Sequence, residues 1–170
     1  MTRFSHALWL FAACIFLAPP APSADAGAIR PFDRHSFTQI RGAYAHKPLV
    51  VHIWGLTCGP CLAELPTWGQ MRKAHPDMNL VLIQADEGSA DAVEAAVEHA
   101  GLKGVDSWST RSEIDEFERA SIDPSWVGDM PRTLLISADG AVTTLKGVVD
   151  PGVISRWLSV AVQKGGKGVE

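Results

Sequence analysis

Cysteine is scarce, with three in 170 residues. That count excludes a disulfide framework of the kind that staples small secreted domains. No second cysteine pair exists to complete a tetrahedral thiolate zinc site. His35, His46, His75 and His99 show no metal-ligand spacing and read as surface residues. A long basic run is also missing, and the formal net charge is −4, which argues against a nucleic-acid partner. No apolar run reaches the roughly 20 residues that cross a bilayer. Internal repeats and low-complexity blocks are lacking too. With 46% hydrophobic and 20% charged residues, the chain has the composition of one globular domain with a sizeable core.

The first residues have the form of an export signal. Arg3 precedes an apolar run at residues 7–18, and Ala24-Asp25-Ala26 fits a small-x-small cleavage site. Residues 1–26 therefore read as a signal peptide, with a mature, periplasmic chain starting at Gly27. An uncut N-terminal membrane anchor is the alternative. A lipoprotein cut before Cys14 fits less well, because Phe11-Ala12-Ala13 is a loose lipobox and the apolar stretch continues past the cysteine. Removal of the signal takes Cys14 with it and leaves Cys58 and Cys61 in an oxidising compartment.

Along the mature chain, residues 27–47 read as an N-terminal extension with a short helix or turn, 48–163 as the folded domain and 164–170 as a flexible tail. Residues 49–54, Leu-Val-Val-His-Ile-Trp, predict a strand buried on both faces. A helix is expected over 58–75, kinked at Pro66, and a second core strand over 79–85. Ser89 opens a helix with Val93, Ala96, Val97 and Ala100 inward and Gly101 as its C-cap. Residues 105–108 read as a short strand, 111–120 as a polar helix and 123–129 as a loop. Strands 133–137 and 141–145 are joined by Asp139-Gly140, a hairpin signal. A closing helix over 151–162 turns Val153, Ile154, Trp157 and Leu158 inward. This order predicts an α/β fold: a central mixed β-sheet flanked by helices on both faces.

The chemistry concentrates at Cys58-Gly59-Pro60-Cys61, between a buried strand and the start of a helix. Unpaired N–H groups and the helix dipole favour a thiolate at Cys58, and Cys61 is near enough to close a disulfide with it. Cys58 is expected to be the partly exposed nucleophile, and Cys61 the more buried thiol that resolves the mixed disulfide. Strand alternation puts His52 on one side with Trp54. There it is a proton shuttle to Cys61, a stabiliser of thiolate if protonated, or a hydrogen-bonded core residue. Trp54 reads as packing. Trp126, in a loop close to Pro131, is a candidate partner contact.

These residues resemble the thioredoxin superfamily and, within it, the exported TlpA/ResA-like thiol-disulfide oxidoreductases. The resemblance is carried by Ile53-Trp54, Cys58-Gly59-Pro60-Cys61, Glu64 and Pro66, Met130-Pro131 and the Asp139-Gly140 hairpin. It implies a thioredoxin-like fold, no cofactor beyond the redox-active cysteine pair, and Glu64 as the acid that exchanges a proton with Cys61. It further implies a cis Pro131 packed against the disulfide, leaving the Met130 backbone free to pair with a substrate strand. The implied partners are disulfide-containing exported proteins, with apocytochrome c or a copper-site assembly protein as candidates, and a membrane thiol carrier as electron donor. The chain departs from the family at Thr57, where Trp is frequent, at His52, where cytosolic thioredoxins carry Asp, and at Arg132, where Thr is usual. Thr57, His52, Gly59 and Pro60 are thus expected to tune the redox potential. Arg132 either adds positive potential near Cys58 or points to solvent. The expected activity is reduction of disulfides in exported proteins. The rivals are a disulfide-donating oxidase or isomerase and a Cu(I)-binding metallochaperone-like module.

Overall fold

The computed structural model describes residues 28–165. The expected export signal and residues 166–170 of the expected tail lie outside the described residues. The described elements are strands β1 (Arg30–Pro31), β2 (Leu49–Trp54), β3 (Leu80–Gln84), β4 (Asp106–Ser109), β5 (Arg132–Ile136) and β6 (Val142–Lys146). With them run helices α1 (Ser36–Ala43), α2 (Gly59–Ala74), α3 (Ala90–His99), α4 (Glu116–Ile122) and α5 (Pro151–Gly165).

β2 is buried at all six positions, as its unbroken apolar run requires. It sits inside a six-stranded sheet of order β1-β4-β3-β2-β5-β6. β3 pairs with it in parallel and β5 antiparallel. Alternation then divides the core. Val50 and Trp54 of β2, Leu80 and Leu82 of β3 and Leu135 of β5 pack under α2, α3 and α5. Leu49, Val51 and Ile53, with Val81, Ile83, Leu134 and Ile136, pack under α1 and α4. Residues 27–47 contribute more than a turn: β1 pairs with β4, and Phe37 and Ile40 of α1 are buried in the second cluster.

Two boundaries and the placement of one residue differ from expectation. The helix expected over 111–120 begins only at Glu116, because Asp115 and Glu118 form a reciprocal capping box. The segment before it is tied to the sheet instead, with Ile114 N–H donating to Ala85 O at 3.2 Å. α5 runs on to Gly165, past the expected end at 162. His75, read as a surface residue, is half-buried and hydrogen-bonded to Ser155 Oγ at 3.1 Å.

α2 and α3 meet at Gly69, where an added Cβ would overlap the Ala100 carbonyl oxygen. α3 ends there in a Schellman turn. Leu102 N–H donates to Val97 O and Gly101 N–H to Glu98 O, both at 2.9 Å, with Gly101 at φ +73°. Gly69→Ala should destabilise the protein by about 1–3 kcal/mol through this overlap. That loss should appear although alanine favours an isolated helix by ~1 kcal/mol over glycine. Urea unfolding reads the difference, and an unshifted midpoint would mean that the helices separate freely.

Candidate active site

β2 ends at Trp54, and α2 begins five residues later, so the C-terminal end of a core strand feeds directly into a helix N-terminus. Cys58 is the N-cap, in extended backbone, and its Sγ accepts from Cys61 N–H at 3.3 Å. Cys58 and Cys61 form a disulfide of S–S 2.02 Å with their Cα atoms 5.2 Å apart. Cys58 is half-buried and Cys61 fully buried, so one sulfur is open to a visitor and the other lies under it. Gly59 and Pro60 are both exposed. Nothing lies within 4 Å of a Cβ built at Gly59, so packing does not demand glycine there. Pro60, in the first helical turn, lacks an N–H where the helix leaves that group unpaired in any case.

One turn beyond Cys61, Glu64 is only 4% exposed. Its Oε1 accepts from Val149 N–H at 2.8 Å, and its Oε2 lies 3.9 Å from His52 Nε2. His52 is fully buried, pairs through Nδ1 with Thr133 Oγ1 at 3.1 Å and stacks at 4.6 Å on Trp68. Glu64 Oε2, His52 Nε2 and Trp68 Nε1 have no protein hydrogen-bond partner among the described residues. Burial pushes the Glu64 carboxyl above the usual range, against the opposing N–H of Val149 and the nearby Trp68 indole, which lies outside hydrogen-bond geometry but close enough to favour the carboxylate. The same cause drives His52 down to about 3. The contact is therefore not an ion pair of two full charges but a buried polar pair in which each member resists ionisation.

The loop before Cys58 is held by Asp86, at the end of β3. Its carboxylate accepts from Leu56 N–H at 2.8 Å and from the N–H and hydroxyl of Thr57, each at 2.7 Å. The Gln84 amide donates to it as well. Gly55 makes the approach possible, since a Cβ there would come within 2.5 Å of Asp86 Oδ2. On the other side of β2, Ile53 pairs with Arg132, which sets Pro131 beside the strand end leading to Cys58. The Met130–Pro131 peptide is cis. Met130 is half-buried and packs against both core clusters, and Pro131 O accepts from Gly147 N–H at 2.8 Å.

The fold that carries this site is shared with solved structures. A secreted Mycobacterium tuberculosis disulfide oxidoreductase homologous to E. coli DsbE superposes with TM-score 0.57 at 21% identity, over 70% of this chain and 85% of that one. A thioredoxin-family thiol:disulfide interchange protein from Chlorobium tepidum gives 0.58 at 18% identity, over 72% and 84%. A DsbF homologue from Corynebacterium diphtheriae gives 0.60 at 16%, over 71% and 75%. The chain has a thioredoxin-like fold. No protein-family model matches the sequence, and no curated protein matches it either.

Within the thioredoxin-like frame, the structure gathers Cys58, Cys61, Glu64, His52, Thr57, Gly59, Pro60, Met130 and Pro131 at one end of the sheet. Two expectations are corrected. Trp126 is 4% exposed, and its Nε1 donates to Asp129 O at 2.9 Å, so it is a core residue and offers no face to a partner. Arg132 neither points to solvent nor charges the Cys58 side. It is 1% exposed on the opposite face of the sheet, bound to Asp123 at 2.6 Å and Asp129 at 3.1 Å, with its guanidinium 5.9 Å from the Trp126 ring. Asp123, held to about 2 by its Ser125 hydrogen bonds and by Arg132, stays ionised. The sequence reading missed Asp86, Thr133 and Trp68. Only Asp86 left a local sign, an acid at the end of a core strand.

His52 and Glu64 give stability opposite pH slopes. The depressed His52 leaves the unfolded chain binding the extra proton between about pH 3 and its free value near 6.5, so its contribution grows as pH rises through that window. The raised Glu64 binds its proton longer in the folded state, so its contribution is lost as pH rises from 4.5 through its folded value. In Glu64→Gln the His52 slope stands alone. Stability measured by urea unfolding should then rise more steeply from pH 4.5 to 6.5 than in the parent. Equal slopes would show that Glu64 titrates normally.

Proposed function

We propose that the chain is an exported, TlpA/ResA-like thiol-disulfide oxidoreductase that reduces disulfides in other exported proteins. The observation that carries this reading is the asymmetric sulfur pair at the N-terminus of α2: Cys58 reachable, Cys61 covered, and a buried carboxyl one turn further in. In the reduced chain, the Cys58 thiolate attacks one sulfur of a partner disulfide. A Cys58–partner bond forms, the partner S–S bond breaks, and a partner thiolate leaves. Cys61 then gives its proton to the Glu64 carboxylate and attacks Cys58 Sγ. The Cys58–Cys61 disulfide forms and the second partner thiol is released, so two electrons have passed from chain to partner. A membrane thiol carrier returns the chain to its dithiol form.

His52 belongs to this relay as the neighbour that faces the Glu64 oxygen not bound to Val149. Its low proton affinity makes it a weak competitor for the proton that Glu64 receives. Thr57, Gly59 and Pro60 tune the couple from the loop and the first helical turn. Pro131 packs beside the disulfide, and the Met130 backbone pairs with an extended partner segment. Apocytochrome c and copper-site assembly proteins are candidate partners. The periplasm is the site of action, reached through the N-terminal signal. No described helix is long and apolar enough to cross a membrane.

Trapping tests the reading. Cys61→Ser should accumulate a mixed disulfide at Cys58 with an exported protein, identified by mass spectrometry, whereas Cys58→Ser should accumulate none. The parent should reduce insulin and show a potential near about −270 mV. A value near about −120 mV would make the chain a disulfide donor instead. Tight Cu(I) binding by the reduced protein without insulin reduction would assign it to copper handling. In stopped-flow exchange, Glu64→Gln should slow resolution by roughly 10²-fold while leaving the first attack nearly unchanged. Equal slowing of both steps would remove Glu64 from the relay.

A further inference from the structure

The Asp86 carboxylate is the one strongly bound acid next to the nucleophile's loop that the exchange chemistry above does not use. It is 6% exposed and takes hydrogen bonds from the two residues immediately before Cys58, through Leu56 N–H, Thr57 N–H and Thr57 Oγ1. Burial alone would raise its proton affinity. The donors from Thr57, Leu56 and Gln84 outweigh burial and hold it below the usual carboxylate range, so it carries a full negative charge. The site is built on both sides. Gly55 leaves room for the carboxylate. Gln84, which donates to Asp86, accepts in turn from Ser109 Oγ, and Ser109 Oγ accepts from Arg111 N–H at 3.0 Å. This polar chain spans the ends of β3 and β4 and locks the charge in place.

The other titratable groups around the pair do not cancel that charge. His52 on β2 is driven by burial toward its neutral form and brings no positive charge, and Glu64 on α2, when ionised, has the same sign as Asp86. Asp129 is bound to Arg132, whose side chain lies on the opposite face of the sheet. Glu87 and Arg111 are exposed to solvent. Two fixed influences therefore compete at Cys58 Sγ: the helix N-terminus, which favours an anion, and a buried anion anchored one residue away, which opposes it.

We propose that Asp86 is a positioning residue for Cys58, whose fixed negative charge opposes the α2 terminus and keeps the couple on the reducing side. A less stable thiolate makes the dithiol the weaker form and the disulfide the stronger one, so electrons leave more readily. This inference rests on reading Cys58 as the nucleophile, and it supplies a reason for the reducing direction.

The test compares the Cys58 titration and the equilibrium with reduced and oxidised dithiothreitol in the parent, Asp86→Asn and Thr57→Val. Asp86→Asn should lower the Cys58 pKa by about one unit. At a pH above the Cys58 pKa of both proteins, it should also make the dithiol roughly tenfold more stable, about 30 mV at 29.6 mV per decade. Thr57→Val removes one hydrogen bond but keeps the charge, and should give only a small part of that shift. An unchanged titration in Asp86→Asn, or an equal shift in Thr57→Val, overturns the proposal. Should Asp86→Asn fail to fold, the parent alone decides. A Cys58 pKa of about 7 or above supports an opposing charge, and one near about 3.5, that of the most acidic helix-capping thiols, rules it out. A parent that exchanges with neither insulin nor dithiothreitol would instead defeat the oxidoreductase reading itself.

Discussion

Everything at the site depends on the junction between the end of β2 and the start of α2. β2 is fixed on both faces and along both edges, so its C-terminal end has little freedom. The helix that follows has unpaired N–H groups at its first turn, and one of them, on Cys61, is spent on the Cys58 sulfur. A rigid strand therefore delivers a polarising helix end to a fixed point, and the half-buried Cys58 sits at that point. The neighbouring strands finish the site in the same way: β3 brings Asp86 to one side of the loop, and β5 brings Pro131 to the other.

One group of buried polar side chains, His52, Glu64 and Thr133, lies in the core next to α2. An all-apolar strand in place of β2 would pack as well, yet this one carries His52 at a fully buried position against Glu64, Thr133 and Trp68. A buried polar atom that lacks a well-formed partner costs about 1–3 kcal/mol, so the loosely paired Glu64 Oε2 and His52 Nε2 oppose stability. Placement of such groups one turn from Cys61 fits the proposed role in moving protons, because burial raises the proton affinity of the Glu64 carboxyl.

Much of the architecture could be read from local pattern. The unbroken apolar run marked β2, Asp139-Gly140 marked the β5–β6 turn, and Ser89 marked the start of α3. Cys58-Gly59-Pro60-Cys61 marked the sulfur pair because its meaning lies within four consecutive residues. What could not be read arises from register across the sheet. Thr133 meets His52 across 81 positions, and Asp86 meets Thr57 across 29. Trp126 and Arg132 misled for a related reason. A segment rich in Asp, Pro and Gly reads as exposed, but a buried guanidinium between Asp123 and Asp129 draws the loop inward and takes the indole with it.

The contact of Gly69 with the Ala100 carbonyl has a further consequence for how a partner is met. Backbone comes close to backbone there, so the helix bearing the sulfurs lies tight against its neighbour at that point. Under the proposed exchange, a close-set host of this kind favours a guest whose own sulfur bridge lies in a pliant, extended stretch.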